Sequence, residues 1–385
     1  MRRQKVLLAI LAYNGRDFVP ACLHSAAGAR VGHRDVDVVV LDDCSPDQGW
    51  SEELQGQCET LDFAYYRSPR NLGIPRNMNL ALSLALARGY DYVLLMNSDV
   101  VLPLNLIGAM IRVVETNPRI GSVTAWSNNA SAFSLPNMDT TGLLRRQDVV
   151  DWISVELEAE FGPFALDVPT GVGFCLLIPR AVAADVGLFD PVYGRGYCEE
   201  VDWCLRSRAL GYRAAVAPST FVYHLGSAST SGAGMLAAKE TTVQEHERII
   251  DLRYPSYRDD LRTFFDAGVL PQIIHRAVLR IVFRAAGRLG YDVESSSVPV
   301  GPPGERVRVL ADPDGRSGVI RVQWCGFEMP VTIHDDRVVQ TMHDIFGGVP
   351  QHVTVSDRGA WADQMTAAWS ATVPFEDRYR YPQRV

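Results

Sequence analysis

From residue 6 onward, short continuous apolar runs alternate with segments of helical period. Val6 to Ala12 is unbroken apolar, the mark of a strand buried on both faces, and Asp17 to Ala27 follows as a helix after a turn at Gly15. Val36 to Leu41 is a second such run, and the polar segment Asp42-Asp43-Cys44-Ser45-Pro46-Asp47 behind it reads as a loop. Phe63 to Tyr66 gives a third strand. Gly73 and Pro75 mark a turn before a helix from about Arg76 to Arg88, which carries Met78, Leu80, Leu82, Leu84 and Leu86. Gly89-Tyr90-Asp91 closes that helix, and an apolar run from Tyr92 ends in Asn97-Ser98-Asp99. Apolar strands separated by helical patterns predict βαβ units and therefore an α/β fold, with a mostly parallel sheet flanked by helices.

Beyond Asp99 the pattern predicts a helix over Leu104 to Glu115, a strand over Ile120 to Ala125, and a mobile polar loop from Ser127 to Asp148. Gly171 and Gly173, before the apolar run ending at Ile178, either admit close approach of backbone to a ligand or bend a strand. Arg180 to Val186 reads as a short helix. Glu199 to Leu210 reads as another, with Val201, Leu205 and Leu210 inward and Gly211 as its stop. Its positive amino end is expected to lower the pKa of Glu199 and Glu200 and hold them ionised.

Helices follow from about Lys239 to Gly287. Arg276, Arg280, Arg284 and Arg288 recur at every fourth position and form a basic stripe beside an apolar face. That pattern suits a helix over 273–288 lying on anionic lipid, and equally one packed on protein with its arginines in water. Val293 to Arg306, with three serines and three prolines, reads as a linker. Asp312-Pro313-Asp314-Gly315 between Arg308–Leu310 and Val319–Trp324 signals a β-hairpin. His334-Asp335-Asp336 and His343-Asp344 read as solvated turns rather than a second metal site. The expected organisation is an α/β domain over 1–235, a helical extension over 236–290, a linker over 291–306 and a small α+β domain over 307–385.

Composition narrows the classes. The chain has 385 residues, a length that favours two domains, and its 47% hydrophobic and 21% charged content is that of a folded globule. No apolar run approaches the roughly 20 residues of a membrane span. The basic and apolar start is too short and strand-like for a signal peptide, so the expected location is cytoplasmic, with the arginine-striped helix as the element that would meet the inner face of the membrane. Seven cysteines without CxxC pairs read as reduced thiols, and a net charge of -8 argues against a nucleic-acid partner. No GxGxxG follows the first strand and no GxxxxGK[ST] is found, which removes the dinucleotide and P-loop readings.

The remaining chemistry sits in Asp99, in the cluster Glu199-Glu200-Val201-Asp202, and in His224. Moving a sugar off a nucleoside diphosphate requires a divalent cation on the leaving group and a carboxylate that takes the proton of the acceptor hydroxyl. Asp99 at a strand end has the donor type for the cation, which one imidazole can join; Glu199, Glu200 and Asp202 are the candidate bases. Taken singly, Asp99 also reads as a turn acid, the acidic trio as a solvated helix start, and His224 as a core histidine.

In order and spacing, these segments resemble the family-2 inverting glycosyltransferases of GT-A fold, especially the bacterial rhamnosyl- and galactofuranosyl-transferase-like branch. The resemblance runs from about Val6 to Ser229. It implies that Ala12, Tyr13 and Asn14 border the nucleobase, that Asp42 or Asp43 contacts base or ribose, and that Asn71, Gly73 and Asn77 line the nucleotide. Asn97-Ser98-Asp99 falls on the family's DxD site with Asn97 in place of the first acid, so Asp99 is the implied metal contact, completed by His224. Glu200 falls at the base position, and Glu199, Asp202 and Trp203 on the acceptor side. The implied cofactor is Mn2+ or Mg2+. The implied partners are a UDP- or dTDP-linked sugar donor and a glycan, lipid-linked or small-molecule acceptor, in polysaccharide, cell-wall glycan or glycoconjugate synthesis, with the C-terminal region a candidate for acceptor binding or self-association. Two other readings stand beside it: a sugar-phosphate nucleotidyltransferase, and a non-catalytic carbohydrate-binding module on the same fold.

Overall fold

The computed structural model describes residues 4–33, 35–130, 133–135, 142–226, 235–296, 304–334 and 337–377; for 235–241 it describes the backbone alone. The chain divides into two compact units, 1–135 with 147–273, and 136–146 with 274–385.

The larger unit is built on a sheet of nine strands. β1 (Val6–Ala12) is its core strand, parallel to β2 (Val36–Asp42) on one side and to β4 (Tyr92–Asn97) on the other, with β3 (Ala64–Arg67) outside β2. Val6, Leu8, Ala9 and Ile10 have no exposed surface, as expected of a strand covered on both faces. The order continues from β4 through β8 (Cys175–Pro179), β6 (Ile120–Ser127) and β9 (Arg213–His224) to the two-residue β5 (Val100–Val101). β8 runs antiparallel to β4 and β6, while β7 (Leu166–Val168) adds to β9. α1 (Val19–Gly32), α2 (Gln48–Thr60), α3 (Ile74–Arg88), α4 (Leu106–Glu115), α5 (Gln147–Phe161), α6 (Arg180–Val186) and α7 (Glu199–Ala209) fill the connections.

Local chemistry sets the helix ends that matter for the site. Asp47 caps α2 by accepting the Trp50 amide at 3.1 Å. Gly73 precedes α3 at φ 79°, and Pro75 fits its first turn because no intrahelical donor is needed there. The carboxyl ends of β1, β2 and β4 thereby open on one side of the sheet, beside the amino end of α3, where open α/β sheets form their ligand crevice. α8 (Met235–Arg253) and α9 (Tyr257–Asp266) complete the unit; Ile250 and Tyr257 pack with Tyr193 and Leu205.

The smaller unit contains α10 (Val269–Leu289) from Ile274 onward and a six-stranded sheet. β10 (Tyr291–Ser295) lies within this sheet, parallel to β11 (Val307–Ala311) and β14 (His352–Val355). β12 (Val319–Trp324) and β13 (Phe327–Thr332) continue antiparallel beyond β11, and β15 (Phe375–Asp377) pairs with β14. α11 (Val338–Phe346) and α12 (Ala360–Trp369) connect the later strands.

Three expectations change. The predicted linker over 291–306 begins with a core strand: Tyr291, Val293, Glu294 and Ser295 are buried, beside a serine- and proline-rich segment whose residues 297–303 lie outside those described. The division between the two compact units falls at 273/274, within the helical extension expected over 236–290. The polar stretch after Ser127 is not uniformly loop, since Gln147–Phe161 is helical and Asn128 is tied to His224; residues 131–132 and 136–141 lie outside those described.

Arg276, Arg280, Arg284 and Arg288 each make an interaction, so none of the stripe is free. Among the described residues, no helix is long and apolar enough to cross a membrane. His343 and Asp344 are exposed, no group of three or more metal-ligating side chains occurs among the described residues, and Asp335 and Asp336 lie outside them. The expected hairpin at Asp312–Gly315 is present as β11 and β12.

Candidate active site

A cavity of about 330 Å³ opens where the carboxyl ends of β1, β2 and β4 meet α3 and α7. Ala12 and Tyr13 reach it from β1, Asp43 from the end of β2, and Asn97, Ser98 and Asp99 from β4; Asn71, Gly73 and Asn77 line it from the start of α3. The Asp43 carboxylate accepts the amides of Leu72 at 2.7 Å and Gly73 at 2.9 Å, which fixes the entry to α3. Burial pushes the Asp43 pKa up, against the pull of those two amides. The Asn77 amide donates to the Leu41 carbonyl at 3.1 Å and leaves its own buried oxygen without a partner.

Asp99 and His224 form the second element. β5 pairs antiparallel with β9, setting Val100 opposite His224, and the Leu225 amide donates to the Asp99 carbonyl at 2.9 Å. Asn128 brackets the His224 backbone, donating to its carbonyl at 3.1 Å and accepting its amide at 2.8 Å. The imidazole stacks on Phe174, ring centroids 4.9 Å apart, and its Nδ1 lies 2.5 Å from the Asn129 carbonyl oxygen. A carbonyl only accepts, so Nδ1 carries the proton and the Nε2 of a neutral ring presents a lone pair. That Nε2 lies 3.3 Å from Asp99 Oδ1. Both atoms are buried and neither has a hydrogen-bond partner. Two facing acceptors of this kind repel unless a positive charge sits between or beside them, which is the donor set of a hard divalent cation. Two side chains are too few to close its coordination shell, so the remaining positions fall to substrate oxygens and water.

The third element is a carboxyl pair at the start of α7. Glu199 is buried and Glu200 half-buried, and each has one buried carboxyl oxygen without a partner. Burial raises the pKa of both, contrary to the expected effect of the helix dipole, because loss of water outweighs the dipole for side chains enclosed this deeply. Glu199 is pushed further, well above the ordinary glutamate range, since the charge on Glu200 adds to its burial. Backbone amides of Glu200 itself, Gly173 and Val201 partly offset the burial of Glu200. Both carboxyls are thus harder to ionise than an exposed glutamate, and a charge on either one disfavours a charge on the other, as expected when two carboxyls share a site.

The other sequence candidates go elsewhere. Asp42 has no exposed surface and is spent within the protein, accepting from Ser45, Ser51 and Tyr65. Asn14 is not in the cavity wall; its amide donates to Ser45 Oγ and its carbonyl accepts the Trp50 indole. Asp202 is not in the cavity wall: its buried carboxylate accepts from Arg206, Arg253 and Tyr254, each at 2.9 Å. Trp203 is fully buried, donates to the Gly187 carbonyl at 2.8 Å and packs on Phe189, so it belongs to the core. Acid and aromatic alternate faces within one helical turn, and the sequence alone did not say which face meets the cavity.

Sequence reading passed over Phe174, Asn129, Arg195 and Tyr197, all in the cavity wall. The signal for the last two was Gly194-Arg195-Gly196-Tyr197, a glycine-framed loop directly before the acidic cluster.

Residues 8–186 match the family model described as Glycosyl transferase family 2. No curated protein matches the chain. Similar solved structures include a mannosyltransferase from Pyrobaculum calidifontis in complex with GDP-Man and Mn2+, at 16% identity over 75% of this chain and 76% of that one, TM-score 0.46. TarS 1-349 of S. aureus in complex with UDP aligns at 16% identity over 74% of this chain and 82% of that one, TM-score 0.41. GalNAc-T7 with UDP, GalNAc and Mn2+ aligns at 12% identity over 86% of this chain and 67% of that one, TM-score 0.45. The mixed, mostly parallel sheet flanked by helices is GT-A-like.

Proposed function

From the match of residues 8–186 to the glycosyl transferase family 2 model and the geometry of the cavity, we propose that this chain transfers a sugar from a nucleoside diphosphate to an acceptor hydroxyl with inversion at the anomeric carbon. The observation that carries this reading is one cavity lined both by a facing, unpartnered carboxylate–imidazole pair and by two adjacent carboxyl groups.

Asp99 Oδ1 and His224 Nε2 would hold Mn2+ or Mg2+, which when bound neutralises charge building on the departing diphosphate. The nucleoside lies along Ala12, Tyr13 and Asp43, with the backbone at Asn71 and Gly73 beside it. Glu200 accepts the proton of the acceptor hydroxyl as that oxygen attacks the anomeric carbon on the face opposite the diphosphate. Its backbone amide contacts stabilise the carboxylate that the step consumes. Glu199, protonated, donates a hydrogen bond without competing for the proton, and Asn97 offers its amide to a sugar or ribose hydroxyl.

The donors are UDP- or dTDP-linked sugars, and the acceptor belongs to polysaccharide, cell-wall glycan or glycoconjugate synthesis. Incubation with a panel of nucleotide sugars and Mn2+, scoring nucleoside diphosphate release, tests the reading. Release dependent on Glu200 and on the cation supports it. Pyrophosphate formation from a sugar phosphate and a nucleoside triphosphate replaces it with a nucleotidyltransferase, and silence across donors and acceptors with a binding module.

A further inference from the structure

The cavity wall holds four carboxyl groups, Asp43, Asp99, Glu199 and Glu200, yet a nucleoside diphosphate brings further negative charge. Among the described residues of the wall, one permanent cation is present, Arg195. It is an exposed residue of that wall, and its guanidinium makes no hydrogen bond or ion pair with a described residue.

The loop bearing it is held in an expensive conformation. Gly194 and Gly196 have φ of 49° and 130°, and Tyr197 and Cys198, which are not glycines, both sit at 72°. Each left-handed non-glycine residue costs roughly 1–2 kcal/mol, and such strain persists where surrounding contacts over-determine it. His246, on α8, supplies those contacts: its Nδ1 donates to the carbonyls of Gly196 at 3.0 Å and Tyr197 at 3.1 Å, with its ring edge-on to Tyr193. On the other side the loop presses on Gly73, where an added Cβ would lie 2.0 Å from the Gly194 oxygen. The crest of the loop is thus pinned against the same residue that Asp43 fixes at the start of α3.

We infer that Arg195 binds the phosphate oxygens of the donor nucleotide, as the protein's own cation in a wall otherwise acidic. The inference rests on the nucleotide-sugar reading of this cavity and assigns a residue to it. A guanidinium suits this task because its planar donors match phosphate oxygens and its charge does not titrate away.

Titration calorimetry with UDP, dTDP and GDP in the presence of Mn2+ first identifies which nucleotide the wild-type protein binds. With that nucleotide, Arg195→Gln weakens binding by about 10- to 100-fold, the worth of one charge-assisted hydrogen-bonding contact, and Arg195→Lys recovers part of the loss. In turnover assays the donor KM of Arg195→Gln rises while the acceptor KM stays unchanged, and its urea midpoint matches wild type because the side chain is exposed. Unchanged nucleotide affinity in Arg195→Gln, or a rise confined to the acceptor KM, overturns the assignment and leaves the nucleotide-sugar reading standing. Absence of nucleotide binding by the wild-type protein overturns the reading itself and the assignment with it.

Discussion

Asp99 Oδ1 and His224 Nε2 face each other at 3.3 Å, buried and without hydrogen-bond partners, although 125 positions separate them in the chain. The pairing of β5 with β9 brings them together, and the Asn129 carbonyl selects the imidazole tautomer that presents a lone pair. Their placement explains why an acid that ends a strand and a histidine that ends another belong to one site.

On the proposed reading, metal affinity should follow from that pair and from the residue behind it. Asp99→Ala and His224→Ala each abolish Mn2+-dependent thermal stabilisation. Asn128→Ala, which removes the bracket on the His224 backbone, weakens Mn2+ binding by about 10–100-fold. Titration calorimetry with Mn2+ alone checks all three; an Asn128 variant with wild-type affinity would show that the bracket does not orient the ring.

On the same reading the two glutamates should separate by function. Glu200→Gln lowers turnover by about 10²–10⁴-fold, the usual worth of a general base, with nucleotide affinity near wild type. Glu199→Gln retains most turnover, since glutamine mimics the protonated acid that burial and the Glu200 charge favour. Steady-state kinetics on the two variants decide the assignment, and the reverse ranking would transfer the role of base to Glu199.

Stability should fall with rising pH where these groups ionise. Both glutamates have pKa values raised in the folded protein, so the native state holds protons that the unfolded chain has released. Their stabilising contribution is complete below the unfolded value of about 4.3 and is lost as pH rises through the raised folded values. Glu199→Gln removes the larger part of this slope. Urea unfolding across pH 4 to 8 measures it, and a variant with the wild-type slope would contradict the linkage. Turnover runs the opposite way, increasing with pH as Glu200 loses its proton.

Asp202 is a structural anchor, and its loss should act on stability. With no exposed surface and three donors at 2.9 Å, Asp202→Ala destabilises the fold by about 3 kcal/mol, toward the lower end for a broken buried ion pair because Arg206 and Arg253 reach solvent. Urea denaturation gives this number. A variant of wild-type stability that has lost turnover would restore Asp202 to the site.

Much of this was legible in the sequence because parallel strands buried on both faces announce themselves as unbroken apolar runs: Val6–Ala12 is a strand as read, and Arg180–Val186 a helix as read. α2 and α5 were not foreseen, as polar and acidic positions such as Glu52, Glu53, Glu158 and Glu160 interrupt their apolar faces. The strand over Tyr291–Ser295 was lost to the prolines and serines that follow it. Within the site, residue types were readable but directions were not. Asp42 and Asp43 are adjacent and chemically alike, yet the first turns into the protein toward Ser51 and Tyr65 while the second lines the cavity. Burial, which reverses the expected effect of the α7 dipole on Glu199 and Glu200, is a long-range property no local pattern carries: their neighbours Cys198 and Val201 pack against residues of α8 and α9 far along the chain.

The most direct measurement is a crystal structure of the protein with Mn2+ and the nucleoside diphosphate it binds, recorded with anomalous scattering. A manganese peak shared by Asp99 Oδ1 and His224 Nε2, with the nucleotide's phosphates toward it and the Glu200 carboxylate facing the open remainder of the cavity, is the expected result. Manganese or nucleotide bound elsewhere, with Asp99 and His224 contacting neither, would contradict the account.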